Sequence, residues 1–303
     1  MIEKNSGRRE DILLNVILLL YIASVWAFTF IFVKVEEQTV PPIIIMAGRA
    51  IIAFFCLLIA SLILKKDLLG HKKHIGIFIV FSVLGIVGLW VVLSLGQEYI
   101  AAGLASVMVT TVPLLTFIIL VFVMRAERFN VIGLGGLLAG ALGIVLVISI
   151  KEILSGSSTI EGFVLIGSGF IMFAVNGILV GKWAKGIDPV ITTTYILGIG
   201  GVMLLAIAYI FESPLKFPLT LENVWSEIAL GVVCTASGYF GYYYLIHKAG
   251  AYFSSFIFYF LPVFGLLAGY LLLHEMVTIT QVLGVLLIFA GVYVINWEKL
   301  KKG

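Results

Sequence analysis

The sequence predicts an all-α integral membrane protein with ten transmembrane helices, arranged as two inverted repeats of five helices each. Three observations favour this fold class. Of the 303 residues, 62% are apolar and 12% are charged, whereas soluble domains carry roughly 25% charged residues. Apolar runs near the ~20 residues that span hydrocarbon recur along the whole chain. The second half of the chain also repeats features of the first.

The ten apolar runs follow one another with short polar loops between them. In the first half they cover about residues 12–33, 42–64, 75–96, 101–124 and 132–150. In the second half they cover about residues 162–182, 190–211, 228–247, 252–273 and 279–297. Each run is interpreted as one helix, because a helix satisfies its own backbone hydrogen bonds in lipid. The first run follows Arg8 and Arg9 but is too long for a signal peptide, and we expect it to be retained.

Lysine and arginine residues indicate how the helices are oriented, because they collect on the cytoplasmic side of short loops. With the N-terminus inside, 15 of the 19 basic residues fall in cytoplasmic segments and 3 fall outside, while Arg49 lies within a helix. The three outside residues are Lys34, Lys151 and Lys216. This bias predicts a multi-pass protein of the cell (cytoplasmic) membrane with both termini in the cytoplasm.

Two segments about 148 residues apart carry the same features in the same order. Each has a proline in one apolar run, a glutamate after it and two glycines in the next run. The matched pairs are Pro113 with Pro262, Glu127 with Glu275, Gly136 with Gly284 and Gly143 with Gly291. Five helices per half is an odd number, so the second half enters the membrane from the opposite side. We therefore predict repeats at 1–150 and 151–303, a construction of secondary transporters whose substrate sites lie between the halves.

The repeated pattern of helix start, proline, glutamate and glycine-containing helix resembles a known family. It occurs as "AAGLASVM…P…E…GGLLAGALG" and again as "AYFSSFIF…P…E…LGVLLIFAG". Over nearly the whole chain the sequence resembles the EamA-type branch of the drug/metabolite transporter superfamily, which includes bacterial amino-acid and metabolite exporters. The resemblance implies a ten-helix transporter that moves amino acids or other small metabolites outward. It also implies a central cavity lined by the first four helices of each half, with the fifth and tenth helices at the periphery.

Pro113 and Pro262 are predicted to lie within helices, where each removes one backbone hydrogen bond and bends the helix. A matched pair of interrupted helices in the two halves points to a transporter site. Hydroxyl groups beside the prolines could bind a substrate, and the nearest ones belong to Thr110, Thr111, Ser254 and Ser255. The alternative is that both prolines only bend helices around a packed core, with these hydroxyls satisfying the freed backbone groups.

Arg49 is the clear charge within a predicted span, about eight residues from the start of that span. An arginine at bilayer depth costs at least ~2.5 kcal/mol, so its guanidinium must face a partner or water. No aspartate or glutamate is predicted at the same depth, and Glu98 at the end of the third helix is the nearest expected carboxylate. The guanidinium is therefore a candidate for binding a substrate carboxylate. Hydrogen bonds to helix carbonyls, or extension to the membrane surface, explain it equally well.

The sequence leaves the energetics of transport open. Proton-driven carriers commonly use a buried acidic or histidine side chain. Here the candidates all lie at predicted helix ends, and they are Glu98, Glu275, His247 and His274. A facilitator, an exchanger and a proton antiporter are equally compatible with this arrangement.

Aromatic side chains near mid-span are candidates for stacking on a flat substrate or for holding a quaternary amine by cation–π attraction. These rings, with the one carboxamide in a helix interior, are Trp26, Trp90, Tyr239, Phe258, Tyr259 and Asn176. In "GYFGYYYLIHK", residues 238–248, helical spacing places Tyr239, Tyr242 and Tyr243 on one face. Tyr239 and then Tyr242 are predicted to face the cavity, whereas Tyr243 and Tyr244 are expected in an interfacial aromatic belt. The alternative for each ring is ordinary packing.

Together these features predict a secondary transporter that exports amino acids or similar amphipathic solutes by alternating access. An importer or exchanger of a quaternary amine or other metabolite is the alternative, and a non-transporting receptor or scaffold is a further one. The candidate substrate-binding residues, with the prolines that bend helices beside them, are Trp26, Arg49, Trp90, Thr110, Asn176, Tyr239, Tyr242, Ser254, Phe258, Pro113 and Pro262.

An intramembrane enzyme is not expected from this sequence. The four histidines lie in loops or at helix ends and offer neither a nucleophile–base pair nor metal-ligand spacing. We expect no cofactor, no metal and no nucleic-acid partner. The expected partners are the lipid bilayer and a small-molecule substrate, and the expected state is a monomer or weak homodimer.

Overall fold

The computed structural model contains helices and no strand in the residues that it describes, which are 2–99, 108–109, 111–126, 131–148, 159–212, 220–273 and 278–301. Helix α1 covers Ile2–Glu36 and α2 covers Pro42–Ile63. Pro41 has an extended backbone, and Pro42 occupies the first helical position of α2. A proline is well tolerated there, since the first N–H groups of a helix have no partner within it. The two prolines thus fix where α2 begins.

The third helical rod is continuous but not uniform. A 3₁₀ segment at Leu69–His74 leads into α3 at Ile75–Ser82, and a π-helical turn at Val83–Val87 joins α3 to α4 at Gly88–Gln97. The whole stretch Leu69–Gly96 is long and apolar enough to cross a membrane. Single π turns inside α-helices are frequent at functional sites.

Helix α5 covers Thr111–Ile118 and runs into a second π turn at Ile119–Val123, and α6 covers Val131–Ile148. Pro113 is the third residue of α5 and so lies in the first turn of the described helix. The preceding residue 110 lies outside the described residues. The kink expected at Pro113 therefore stays a prediction.

In the second half, α7 covers Ile160–Trp183 and α8 covers Pro189–Phe211. The hydroxyl of Thr159 accepts a backbone N–H from the first turn of α7. The carboxylate of Asp188 does the same for α8, accepting the N–H of Val190 at 2.9 Å. Both helices thus begin at a capping side chain, which satisfies backbone donors that the helix leaves unpaired.

A long rod follows, made of α9 at Leu221–Ile228, a π-helical segment at Ala229–Ser237 and α10 at Gly238–Ser255. Helix α11 at Ile257–Leu273 continues from this rod after a sharp change of direction. The angle between the two is 75°, and the break lies at Phe256.

The bend next to α11 does not lie at its proline. Pro262 is inside α11, where it removes the bond to the carbonyl of Phe258, but the sharp turn occurs at Phe256, before α11 begins. Gly250 breaks the preceding helix with φ of 85° and ψ of 161°, a backbone conformation that glycine adopts without a steric penalty. The chain therefore changes direction between its predicted eighth and ninth spans, with breaks at Gly250 and Phe256.

Several helices can cross a membrane, which makes the chain a multi-pass membrane protein. Within the described residues, five are long and apolar enough by themselves, at Asp11–Thr29, Pro42–Ile63, Leu69–Gly96, Ile160–Trp183 and Pro189–Phe211. The bent pair Leu221–Ser255 and Ile257–Leu267 is a further candidate, and Thr111–Val123, Val131–Leu146 and Ile279–Val294 are shorter apolar helices. The predicted run at 101–124 lies partly outside the described residues, so the total of ten spans stays a prediction.

Helices α2 and α8 form an antiparallel pair that joins the two halves of the chain. At one end, the carboxylate of Glu212 accepts the N–H groups of Ile43 and Ile44 at 3.1 and 3.0 Å. At the other end, Lys66 pairs with Asp188 at 2.6 Å, where α2 has just ended and α8 begins. Partial burial raises the pKa of Asp188, but the hydrogen bonds from Lys66 and a backbone N–H outweigh it and bring the pKa below the ordinary value of 3.8.

The last helix, α12 at Ile279–Lys301, packs along α6 through glycines. A methyl group on Gly291 would lie 2.5 Å from the carbonyl oxygen of Gly136, and one on Gly143 would lie 2.6 Å from the carbonyl oxygen of Gly284. Such a close backbone approach is possible only without side chains. The glycines of these two helices therefore serve packing.

Candidate substrate site

Aromatic rings from four helices meet inside the bundle. Trp26 of α1 lies 5.3 Å from Tyr239 and 5.4 Å from Tyr242, both on α10, measured between ring centroids. It also lies 5.8 Å from Phe258 of α11 and 6.2 Å from Phe173 of α7. These five residues are called the aromatic cluster below. Because α1 belongs to the first half of the chain and the other three helices to the second, the cluster lies between the halves.

Arg49 stacks beside this cluster, on the face of Trp90. Its guanidinium carbon lies 3.7 Å from the centroid of the Trp90 ring, which is a close cation–π contact. The side chain of Arg49 is only 9% exposed, so it does not extend to the membrane surface. Its Nε has no hydrogen-bond partner among the described residues. The guanidinium therefore keeps at least one donor available.

Tyr239 connects Trp90 to the aromatic cluster. The indole Nε1 of Trp90 donates to the hydroxyl of Tyr239 at 3.1 Å, and that hydroxyl donates to the carbonyl of Gly85 at 3.3 Å. Gly85 lies in the π turn between α3 and α4, so this turn supplies the acceptor for Tyr239. Gly238 gives room on the other side, because any side chain there would collide with the indole nitrogen of Trp26.

Asn176 of α7 is connected to the aromatic cluster through Tyr243. Its Nδ2 donates to the hydroxyl of Tyr243 at 3.0 Å, and both side chains are fully buried. The Oδ1 of Asn176 has no hydrogen-bond partner in the described part of the chain. The expectation of an interfacial position for Tyr243 is wrong, since its ring packs 5.4 Å from that of Tyr242 inside the bundle. Tyr244, 37% exposed, keeps an outward position.

The structure brings most of the predicted site residues together. Those in the cluster or in contact with it are Trp26, Arg49, Trp90, Tyr239, Tyr242 and Phe258. Asn176 joins them through Tyr243. Tyr259 is buried elsewhere, with its hydroxyl donating to the carbonyl of Leu137.

The hydroxyl residues beside the prolines are used locally. Ser254 donates to the carbonyl of Gly250 at 2.9 Å and Ser255 to that of Tyr252 at 2.7 Å. Thr111 bonds a carbonyl in the turn before its own helix. These bonds fit the alternative in which such hydroxyls stabilise the bent backbone. Thr110 lies outside the described residues.

The expectation about carboxylates near Arg49 is wrong. Glu98 is exposed, whereas Glu227 and Glu36 interact electrostatically with the guanidinium. Glu36 is 1% exposed, and both carboxylate oxygens of Glu227 are buried. Two acidic groups thus lie inside the bundle near the one predicted intramembrane charge.

Sequence reasoning missed Glu227 because the predicted eighth run begins one residue after it. The helix starts earlier, at Leu221, and buries Asn223, Ser226 and the carboxylate oxygens of Glu227 on its inner side. Their spacing of i, i+3 and i+4 is the signal that marks one helix face. Glu36 and Phe173 carry no comparable signal.

Two cavities lie on either side of the aromatic cluster. One, of about 260 Å³, is lined by residues of the π turn after α5, of α7 and of the Gly250 region. The other, of about 270 Å³, lies among α1, α2 and α9 beside Glu36 and Glu227. Along the rod of α9 and α10, Tyr239 is twelve residues from Glu227 and eleven from Gly250, which corresponds to roughly 15–18 Å in each direction. Pro113 and Pro262 line neither cavity.

A multi-pass helical bundle with a buried arginine and aromatic site between two cavities has the construction of a membrane transporter for small molecules. A sequence profile of the EamA-like transporter family matches residues 13–149 and 160–297. The chain belongs to this family, and it is therefore a transporter of the drug/metabolite transporter superfamily. One matched stretch lies in each half of the chain.

Relatives from bacteria, archaea and plants are similar along much of the chain. The chain is 28% identical to uncharacterized transporter YoaV of Bacillus subtilis over 89% of this chain and 92% of that protein. It is 28% identical to an uncharacterized transporter of Archaeoglobus fulgidus over 89% of this chain and 94% of that protein. It is 29% identical to the WAT1-related protein At3g02690, chloroplastic, of Arabidopsis thaliana over 68% of this chain and 51% of that protein. A solved crystal structure has the same fold, with a TM-score of 0.80, 16% identity and coverage of 95% and 98%.

Proposed function

We propose that this transporter is a secondary carrier that exports amino acids or similar amphipathic metabolites across the cytoplasmic membrane by alternating access. The observation that carries the proposal is the position of the aromatic cluster between two cavities. We infer that the rings of Tyr239 and Tyr242 form the barrier between the two cavities. A barrier that opens to one side at a time is what alternating access requires.

Inverted repeats at 1–150 and 151–303, with ten spans and both termini in the cytoplasm, belong to the same proposal. The sequence repeat equates Gly136 with Gly284 and Gly143 with Gly291. In the crossing of α6 and α12, Gly136 contacts Gly291 and Gly143 contacts Gly284. Each contact is therefore the image of the other under the repeat, as a two-fold relation between the halves would produce.

Arg49 supports a substrate that carries a carboxylate. A planar guanidinium can donate two parallel hydrogen bonds to a carboxylate, and the Nε of Arg49 has no partner among the described residues. The adjacent aromatic cluster offers an apolar surface for the rest of the solute. We assign the substrate contacts to Arg49, Trp90, Tyr239, Trp26, Tyr242 and Phe258, with Asn176 behind them.

A quaternary amine held among aromatic rings is the second candidate, and the four rings around Trp26 favour it. These rings contact one another at centroid distances of 5.2–6.2 Å. A bound amine has to separate them, whereas a carboxylate at Arg49 finds a donor already available. The carboxylate substrate is therefore the first choice.

Reconstitution into liposomes tests the carrier assignment. Radiolabelled amino acids, nucleosides and quaternary amines are offered in counterflow, with and without an imposed pH gradient. Arg49→Lys keeps the charge but loses the planar fork, and we expect counterflow of carboxylated solutes to fall by about tenfold or more, since hydrogen bonds to charged groups contribute about 1.5–3 kcal/mol. Uptake of no solute under either condition contradicts the carrier assignment.

A matched pair of tyrosine variants separates the site from general effects. Tyr239→Phe removes the hydroxyl that bonds both Trp90 and Gly85, and we expect it to slow counterflow. Tyr244→Phe changes a tyrosine of the same helix that is 37% exposed and should leave counterflow unchanged.

Unchanged transport of carboxylated solutes in Arg49→Lys contradicts the role of Arg49 but leaves the carrier assignment standing.

A further inference from the structure

Two buried carboxylates, Glu36 at the end of α1 and Glu227 in α9, face each other beside the second cavity. Both side chains line this cavity, and each interacts with the other. One oxygen of Glu36 and both oxygens of Glu227 are buried without a hydrogen-bond partner in the described part of the chain. Burying a charged group without partners is strongly unfavourable. These three oxygens therefore lack a partner, which a shared proton or a bound cation would supply.

Arg49 does not supply that partner. Its guanidinium is stacked on Trp90, and no ion pair within 4.0 Å joins it to either carboxylate among these described residues. It acts on both carboxylates only at longer range. If both carboxylates are ionised, two negative charges lie near the one positive charge of Arg49, and a bound cation would balance the cluster.

The cavity beside the carboxylates is large enough for a small organic molecule. Its volume of about 270 Å³ is close to the lower end of small-molecule sites, which begin near 300 Å³. Apart from the carboxylates and Asn223, its lining is apolar and includes Val40, Ile44, Ile52 and Ile228. Such a lining fits an apolar molecular body better than a hydrated inorganic ion.

A glycine of α2 lets the Glu227 carboxylate reach this position. The carboxylate lies directly against Gly48, where any side chain would collide with it. Gly48 also lines the cavity and precedes Arg49 in the chain. The carboxylate of Glu227 is thus placed against the residue that precedes Arg49 in α2.

We propose that this cavity binds the ammonium group of a small organic amine between Glu36 and Glu227, with the apolar body of the amine against α2 and α9. An ammonium group has three N–H donors, which matches the three unpartnered oxygens. The inference rests on the proposed carrier function, to which it adds an ammonium-binding subsite. A metal ion fits less well, because hard cations take six or more oxygen ligands and the described residues hold no group of three potential metal-binding acidic, histidine or cysteine side chains.

Binding of isopentylamine to the purified full chain in detergent tests the proposal. Isopentylamine carries one ammonium on a branched apolar body, and isopentanol is its neutral analogue. We expect isopentylamine to raise the thermal unfolding midpoint by about 2 °C or more near saturation, while isopentanol does not. Equal shifts from the two compounds, or no shift from either, overturn the proposal.

Two variants locate the binding. Glu227→Gln removes one charge of the pair, and we expect it to abolish the response to isopentylamine. Glu222→Gln, an exposed acidic residue of the same helix, should keep the full response. A response that survives in Glu227→Gln contradicts binding at this cavity.

Chemical labelling of the unmodified protein gives a second readout that does not depend on a variant folding. Dicyclohexylcarbodiimide is an apolar reagent to which a protonated carboxyl group adds, and peptide mass spectrometry locates the product. We expect labelling of Glu36 or Glu227 that isopentylamine suppresses and isopentanol does not. Labelling that depends on pH but not on the amine indicates a proton site only and overturns the proposal.

The subsite and the carrier assignment fail separately. Transport in liposomes without isopentylamine binding contradicts the ammonium subsite alone. Isopentylamine binding without transport of any solute contradicts the carrier assignment alone.

Discussion

At the scale of single residues, the indole of Trp90 stabilises the buried charge of Arg49. An arginine at bilayer depth costs at least ~2.5 kcal/mol, and a desolvated cation–π contact returns about 2 kcal/mol. The contact at 3.7 Å therefore offsets much of the burial of Arg49. Trp90 is held in place in turn by its hydrogen bond to Tyr239. One indole thus supports the charge and ties it to the aromatic cluster.

Trp90→Phe tests this dependence. The substitution keeps an aromatic ring but removes the N–H group that donates to the Tyr239 hydroxyl. It also weakens the cation–π contact with the guanidinium of Arg49. We expect a loss of about 1–3 kcal/mol in the free energy of unfolding, measured as a lower thermal midpoint in detergent. Trp225→Phe is the control, because Trp225 is 63% exposed. Equal midpoints for the two variants would show that Trp90 does not stabilise the buried charge.

At the scale of helices, Asp188 is a local capping signal directly before Pro189, whereas the carboxylate that caps α2 was not predictable from the sequence. Glu212 lies far from Ile43 in the sequence, and the pair forms only because α2 and α8 pack antiparallel. The bend at Phe256 was hidden for a related reason, since Pro262 is the local signal for a kink and the turn occurs earlier. Local signals thus predict helix starts well and long-range contacts poorly.

The ion pair between Lys66 and Asp188 gives the α2–α8 pair a defined pH dependence. The pKa of Asp188 in the folded protein lies below its ordinary value of 3.8, so the stabilisation is present above pH 3.8 and is lost as the pH falls through the lower folded pKa. Asp188→Asn keeps a capping side chain but loses the charge. We expect its thermal midpoint to lie below that of the wild type at pH 7, with the two converging below pH 3.8.

Glu98→Gln is the control for the pH experiment, because Glu98 is exposed. Its melting curve should follow that of the wild type across the same pH range. A constant difference between Asp188→Asn and wild type at all pH values would contradict a stabilising charge at Asp188.

At the scale of the whole molecule, the site was predictable where it follows helix periodicity. The spacing of Tyr239 and Tyr242 indicated a shared inner face, and both are buried in the cluster. The acidic pair was missed, because Glu36 and Glu227 stand at the edges of apolar runs and become buried only when α1, α2 and α9 assemble. Only Glu227 had a local signal, its shared helix face with Asn223 and Ser226. Residues within spans can be assigned from sequence, whereas residues at span ends depend on where each helix begins.

The crossing of α6 and α12 shows whether helices at the periphery of the bundle take part in transport or only in stability. A methyl group at Gly291 would lie 2.5 Å from the Gly136 carbonyl oxygen and 2.8 Å from the Gly140 backbone nitrogen, so Gly291→Ala must push the helices apart. We expect a loss of about 1–3 kcal/mol in stability. Gly135→Ala is the control, since nothing lies within 4 Å of a methyl group there.

Liposome counterflow of Gly291→Ala decides what the helix pair does. The helices α6 and α12 are the fifth and tenth predicted spans, which the resemblance to the EamA-type family places at the periphery. We therefore expect counterflow per folded molecule to match that of the wild type, although the thermal midpoint is lower. An unchanged midpoint contradicts the close backbone packing of α6 on α12. A normal fold with lost counterflow instead places this helix pair within the moving part of the transport cycle, because packing alone cannot account for a change in rate at constant stability.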